Sequence, residues 1–193
     1  VNGLRFTHYT AAAAREGHDV VEDVFRRSYR DAIESGHAFD SPEAFMQRFD
    51  AYTDPARGSG FELVVAYLDD VAVGQSWGWP LTPKTAWWVG LRLNDSASDM
   101  AEFIEESGAR TFALSEIMVD QAYAGRGIAR ELHDELLKGR SEVRATLLVE
   151  PDNDRAYSAY RRWGWARVGN LTPSWPDAPT FDVLMKHLEE ASS

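Results

Sequence analysis

Residues 111–165 constrain the fold more than any other part of the chain. Residues 111–119 are apolar and β-prone, and residues 125–138 carry Ile128, Leu132 and Leu136 on one helical stripe. Residues 143–149 are again strand-like and residues 153–163 again helical. A strand, a helix and a second strand in this order predict at least two parallel strands in a sheet centre, because a parallel pair needs a crossover connection. Binding crevices open at the carboxyl ends of such strands, so the turns that follow residues 119 and 149 are the places to look for chemistry.

The rest of the chain fits around that centre. A short strand is expected over residues 4–9, a helix over 19–33 ended by Gly36, and a second helix announced by Ser41, Pro42 and Glu43. Residues 54–60 read as a loop. Residues 61–68 and 71–79 are β-rich and flank Asp69-Asp70, a hairpin pattern whose turn lacks the favoured glycine. A further strand is expected over 87–93 and a short helix over 98–106, closed by Gly108. Two last strands are expected over 165–168 and 181–186. At 193 residues, with 44% of them apolar, the chain suits a single domain over 1–193 with one sizeable core.

Composition removes several classes of function. With 31 acidic against 20 basic side chains the net charge is -11, which disfavours a sequence-independent grip on nucleic acid or anionic lipid. There is no cysteine, which excludes disulfides, thiolate metal sites and a cysteine thioester route. The five histidines are scattered without a motif partner, so no metal site is expected. No apolar run approaches the roughly 20 residues of a spanning helix, and the beginning of the sequence lacks a signal-peptide core, so a cytoplasmic protein is expected.

The turn after residue 119 reads Asp120-Gln121-Ala122-Tyr123-Ala124-Gly125-Arg126-Gly127-Ile128-Ala129. Glycines lacking Cβ let backbone approach a ligand, and the first N–H groups of the helix favour an anion. Arg126 and Arg130 put positive charge at the positive end of the helix dipole, a conflict that a bound phosphate would relieve. A bare G-x-G is also common as plain packing. It is neither a dinucleotide fingerprint, since Arg130 stands where a third glycine would be, nor a Walker loop. His133 reads as a helix-surface or boundary residue. Downstream, Asn153, Ala156, Tyr157 and Tyr160 share one helical face, an arrangement that alone would more often be core than chemistry.

Taken together the two segments resemble the GNAT superfamily of N-acetyltransferases. The turn pattern [QR]-x-x-G-x-[GA] is similar to residues 124–129, with Gly127 and Ala129 in place and Ala124 departing from the usual Arg or Gln. The pattern N-x-x-A-x-x-x-Y-x-x-x-G-[FW] is matched by Asn153, Ala156, Tyr160, Gly164 and Trp165. The resemblance implies an α/β GNAT fold, a central mixed twisted β-sheet flanked by helices on both faces. It also implies transfer of an acyl group from acetyl-CoA to an amine. Gly125, Arg126, Gly127, Ile128, Ala129 and Arg130 would bind the diphosphate, and Asn153 and Tyr157 the pantetheine and adenosine-phosphate arm.

A primary amine is only about a thousandth neutral at pH 7, so a base is needed before attack. Glu116 is the candidate, on the strand face shared with Leu114 and Met118, and relatives use a glutamate on the corresponding strand; an Arg-paired structural glutamate is the alternative. Backbone N–H groups of Ile117, Met118 and Val119 are candidate donors to the oxyanion. Tyr160, with a phenol pKa close to that of an alkyl thiol, is placed to protonate the leaving thiolate, and the resemblance assigns the same position as general acid. With no cysteine, direct attack in a ternary complex is favoured.

For the acceptor, Trp77, Trp79, Trp87 and Trp88 suit either a wall for a cationic amine or sheet core. Residues 84–110 form a longer link than is usual in these enzymes and are a candidate for acceptor selectivity. The expected partner is a small-molecule or peptide amine, with neither nucleic acid nor membrane, and an unpaired edge strand gives a motive for a homodimer. The rival is a non-catalytic acyl-CoA-binding sensor, in which Ala124 would mark a decayed site.

Overall fold

The computed structural model describes residues 3–57, 60–95, 99–174 and 178–188. It is a mixed α/β structure whose eight strands follow the sheet order β1-β2-β3-β5-β6-β8-β7-β4 and are flanked by helices. Its contacts divide the chain into two compact units, Val1–Trp79 with Glu116–Lys138 and Pro80–Ser115 with Gly139–Ser193, and β5 contributes residues to each.

The first unit holds β1 (Arg5–Thr10), α1 (Ala11–Glu16), α2 (His18–Ser28), α3 (Arg30–Glu34), α4 (Pro42–Tyr52), β2 (Glu62–Leu68) and most of β3 (Val71–Pro80). It also holds the end of β5 (Thr111–Val119) and α6 (Ile128–Leu137). β1, β2 and β3 form antiparallel ladders. The hairpin turn dispenses with glycine: Asp69 and Asp70 both take positive φ, 48° and 64°, as a tight hairpin turn demands, and short polar side chains tolerate that region better than most. Ser41 caps α4 as expected, its Oγ accepting from the Ala44 N–H at 3.1 Å.

Period-two alternation sends the side chains of these strands to two faces, each covered by helix. On one face Leu63, Val65, Trp77 and Met118 meet Val21, Val24 and Phe25 of α2 and Phe45 and Phe49 of α4. The Phe25 and Phe45 rings stack at 3.8 Å, and Trp77, 1% exposed, lies among Phe45, Phe49 and Phe61. On the other face Gly74 leaves room for α6: a Cβ there would stand 3.0 Å from the Leu132 side chain and 2.9 Å from the Met118 carbonyl. Ile128, Leu132 and Leu136 bury the α6 stripe read from the sequence.

Two elements differ from the sequence reading here. The helix expected over 19–33 is interrupted at Tyr29, whose backbone leaves helical geometry (φ -110°, ψ 25°) while its ring stacks on Phe25 at 5.1 Å. Neither glycine nor proline marks the break. The alanine run 11–14 begins a separate helix, capped by Thr10.

The second unit holds β4 (Leu91–Leu93), α5 (Met100–Ile104), the start of β5, β6 (Arg144–Val149), α7 (Asp154–Arg162), β7 (Ala166–Leu171) and β8 (Phe181–His187). The expected parallel pair is β5 with β6, in register from Thr111↔Arg144 to Ala113↔Thr146. β6–β8, β8–β7 and β7–β4 are antiparallel. The strand expected over 87–93 shrinks to three residues because turns at 82–85 and 86–89 and the positive φ of Gly90 occupy the chain before it. Residue 98 of the helix expected over 98–106, and residues 58 and 59 of the loop over 54–60, lie outside the described residues.

Candidate active site

In the first unit, β5 is followed directly by Asp120, a residue only 3% exposed. Its Oδ1 accepts the Ala122 N–H at 2.9 Å, starting a turn of 3-10 helix over Gln121–Tyr123, and its Oδ2 accepts from Arg27 Nη1. The chain then passes through Gly125 (φ +78°) and Gly127 (φ +84°) and enters α6 only at Ile128, three residues later than the sequence suggested. Left-handed backbone at two near-adjacent positions is what glycine permits and other residues resist. A Cβ built on either glycine would meet nothing within 4 Å, so both face open space. Gly127 is also the N-cap of α6 and supplies no side-chain cap. An exposed turn of bare backbone leading into an uncapped helix N-terminus is chemically suited to an anion.

The two arginines of this turn divide. Arg126 lies over the Tyr123 ring at 5.0 Å, whereas Arg130 pairs with Asp134 one turn on, so part of its conflict with the dipole is already relieved inside the helix. His133 is a correction. It is 1% exposed rather than on the surface or a boundary, with Nδ1 2.7 Å from Asp134 Oδ1.

Glu116 is half-buried on β5, its backbone carbonyl accepting from Ser76 Oγ at 2.8 Å. Burial pushes its carboxyl pKa up to about 7, with the Arg48 charge of α4 acting in the opposite direction. Strand alternation puts it on the face of Met118, which belongs to the core cluster under α2 and α4. A carboxyl that ionises near neutrality is suited to accepting a proton at physiological pH.

In the second unit, Asn153 caps α7: its Oδ1 accepts the Ala156 N–H at 3.1 Å, a role the spacing alone did not distinguish from ligand binding. Tyr157 has its pKa raised by burial, by the charge of Asp182 and by the hydrogen bond it gives that carboxylate. Asp182 in turn pairs with Arg167 at 2.7 Å. Tyr160 is 9% exposed, its ring edge-on to Trp163 at 5.6 Å and to Trp165 at 6.2 Å. Gly164, at φ +86°, ends this helix and lets Trp165 fold back on Tyr160, and the Trp165 N–H donates to the Tyr160 carbonyl at 3.1 Å.

The four tryptophans considered for an acceptor wall separate. Trp77 and Trp88 are core, and Trp88 gives its indole N–H to buried Glu106, which also accepts from Thr111 Oγ1 and Arg144. That network fastens the long link of residues 84–110 to the first residues of β5 and β6. Trp79 is partly buried, its ring 4.6 Å from that of Tyr52 and 5.0 Å beneath the Arg57 guanidinium, and Trp87 is also partly buried. The Asp120–Arg27 pair was not foreseen. An aspartate followed by a 3-10 turn hints at a cap, but a helix more than ninety residues earlier gave no signal of its partner.

Comparison with known proteins bears on these features. The sequence model of the Acetyltransferase (GNAT) family matches residues 21–165. An uncharacterized protein of Mycobacterium leprae is 36% identical over 78 residues, covering 40% of this chain and 21% of that protein. The N-alpha-acetyltransferase RimI of Mycobacterium tuberculosis is 45% identical over 58 residues, 30% of this chain and 37% of the relative. The chain thus aligns with well under half the length of these curated relatives. A GNAT family acetyltransferase from Elizabethkingia anophelis, solved with acetyl-CoA bound, superposes with a TM-score of 0.61 over 97% of this chain and all of that one at 12% identity, a likeness of fold. Among the described residues no helix is long and apolar enough to cross a membrane. Since the family match runs from within α2, through the glycine turn and the tyrosine helix, to Trp165, the chain belongs to the GNAT family of acetyltransferases.

Proposed function

We propose that this protein is an acetyl-CoA-dependent N-acetyltransferase that acylates a primary amine of a small molecule or peptide by direct attack in a ternary complex. The observation that carries this is the turn between β5 and α6: two left-handed glycines with open space where their Cβ atoms would be, leading into a helix without a side-chain cap. That cradle fits a diphosphate, with backbone N–H groups around Gly125, Gly127, Ile128 and Ala129 as donors and Arg126 and Arg130 adding charge. Asn153, whose Oδ1 is committed to the cap, offers its amide nitrogen to the cofactor arm, and Tyr157 a ring face.

Bound acetyl-CoA supplies the activated acetyl group as a thioester. Glu116 takes the proton of the incoming ammonium, directly or through water, and its pKa of about 7 suits that task. N–H groups of Ile117, Met118 and Val119 donate to the charge that develops on the carbonyl oxygen. Tyr160 gives a proton to the departing sulfur. The setting is cytoplasmic, and the outer strands β1 and β4 offer ladders on which a homodimer could form.

Calorimetric titration with acetyl-CoA, followed by a thiol-release assay over a panel of amines, tests the assignment. Binding together with amine-dependent thiol release is expected. Absence of binding overturns the cofactor assignment, and tight binding without release for any amine makes the protein a sensor.

A further inference from the structure

α2 and the glycine turn are joined by one ion pair within the first unit. Arg27 stands in the last turn of α2, a helix fixed in the core by Val21, Val24 and Phe25. Its guanidinium makes a fork: Nη1 donates to Asp120 Oδ2 at 2.5 Å, and Nη2 donates to the Ala72 carbonyl at 2.7 Å and to Asp23 Oδ2 at 2.8 Å. Asp120 is held on three sides. Its own N–H donates to the Val73 carbonyl at 2.9 Å, its Oδ1 accepts from Ala122, and its Oδ2 takes Arg27. Only Gln121, Ala122, Tyr123 and Ala124 separate it from Gly125, so the direction in which the chain enters the cradle is set at Asp120.

The charge of this carboxylate also matters. A buried anion at the threshold of a turn meant for a diphosphate opposes binding unless a cation neutralises it. Arg27 is that cation, and its charge-assisted hydrogen bonds fix the carboxylate that begins the turn.

We propose that Arg27, acting through Asp120, is a positioning residue for the coenzyme: it aims the glycine turn and cancels the buried charge that would repel the diphosphate. This rests on the acetyl-CoA assignment above and deepens it. Arg27 touches none of the reacting atoms, so its loss weakens coenzyme binding and leaves the chemical step intact.

The test compares Arg27→Met, Arg27→Lys, the double variant Arg27→Met with Asp120→Asn, and Arg26→Met as a control, since Arg26 pairs with Glu22 on the exposed side of the same helix. For Arg27→Met, calorimetry with coenzyme A is expected to give a Kd raised tenfold or more. The KM for acetyl-CoA should rise in parallel, with kcat within about threefold of wild type. Arg27→Lys is expected to regain part of the affinity, as is the double variant, because removing the carboxylate charge removes the repulsion; Arg26→Met should match wild type. If Arg27→Met does not fold, Arg27→Lys carries the test with an intermediate rise in Kd. The proposal is overturned by an unchanged Kd in the folded Arg27 variants, by a fall in kcat at unchanged affinity, by a double variant that binds no better than Arg27→Met, or by an equal effect of Arg26→Met. A wild-type protein that fails to bind coenzyme A overturns the functional assignment instead, which separates the two failures.

Discussion

The chain makes the passage from parallel strand to helix twice, and resolves the helix N-terminus differently each time. After β6 the connection is short and Asn153 closes α7 with its own side chain, so the helix is satisfied internally. After β5 the cap position is Gly127, which has no side chain to give, and a second left-handed glycine precedes it. One residue type at one position thus decides whether the polar end of a helix is closed by its own side chain or left without a side-chain cap. On the proposed function, the connection after β5 is the main place for binding the coenzyme diphosphate, and the connection after β6 leads into the helix that carries the proposed acid, Tyr160.

Substitutions that move kcat and those that move affinity should therefore fall in different connections. The largest effect is expected at the tyrosine helix: Tyr160→Phe should lower kcat by about tenfold to a thousandfold with little change in the KM for acetyl-CoA, measured by steady-state thiol release. An unchanged kcat would remove the phenol from the reaction. Next is Glu116→Gln, for which a loss of about a hundredfold in kcat/KM is expected. Wild-type kcat/KM should rise with pH through about 7 as the carboxyl ionises, and the variant should lack that limb. The sign extends to stability. Because the fold raises this pKa, the carboxylate form is disfavoured in the native state, so Glu116→Gln should be the more stable protein at pH 8, by chemical denaturation.

At the turn, Gly127→Ala forces a Cβ into left-handed backbone, at a cost of about 1–2 kcal/mol. It should raise the Kd for coenzyme A several-fold with kcat little altered; a change confined to kcat would break the distinction between the two connections. Asn153 sharpens it. Asn153→Ala should cost about 1 kcal/mol in stability through loss of the cap. Asn153→Ser keeps a capping oxygen and should be nearly as stable as wild type, yet raise the KM for acetyl-CoA if the amide nitrogen touches the cofactor. An unchanged KM would leave Asn153 as a cap alone.

The smallest effect concerns the far end of α6, where His8 of β1 bridges Glu62 of β2 at 2.7 Å and Glu135 at 3.1 Å. Burial lowers the His8 pKa, but the hydrogen bonds and charges of the two glutamates prevail and raise it above 6.5. The clasp is therefore fully present below pH 6.5 and is lost as pH rises through the higher folded-state value. His8→Gln should cost at most about 1 kcal/mol at pH 5.5 and less at pH 8.5, as expected for an exposed pair, without altering coenzyme affinity.

The second half of the fold was legible because its signals are local. The stripe of Ile128, Leu132 and Leu136, the β-prone runs on either side and the paired glycines each declare themselves within a dozen residues. The break at Tyr29 was not legible, since neither glycine nor proline marks it and only the backbone geometry of the folded chain shows it. The aspartate hairpin turn lay between. The alternation predicted the hairpin, but only the positive φ of Asp69 and Asp70 explains how it closes without glycine.

Residue identity and spacing alone determined the crossover of parallel strands, the glycine turn and the presence of Glu116 and Tyr160 on their elements. These depend on interactions between near neighbours, whose geometry the periodicity of helix and strand prescribes. Tertiary structure decided which polar groups are already committed and which tryptophans are core. It also raised the Glu116 pKa and joined Arg27 to Asp120 across more than ninety residues. Burial and long-range pairing are properties of the folded surroundings, and no local pattern encodes which distant side chain will come to share a buried charge.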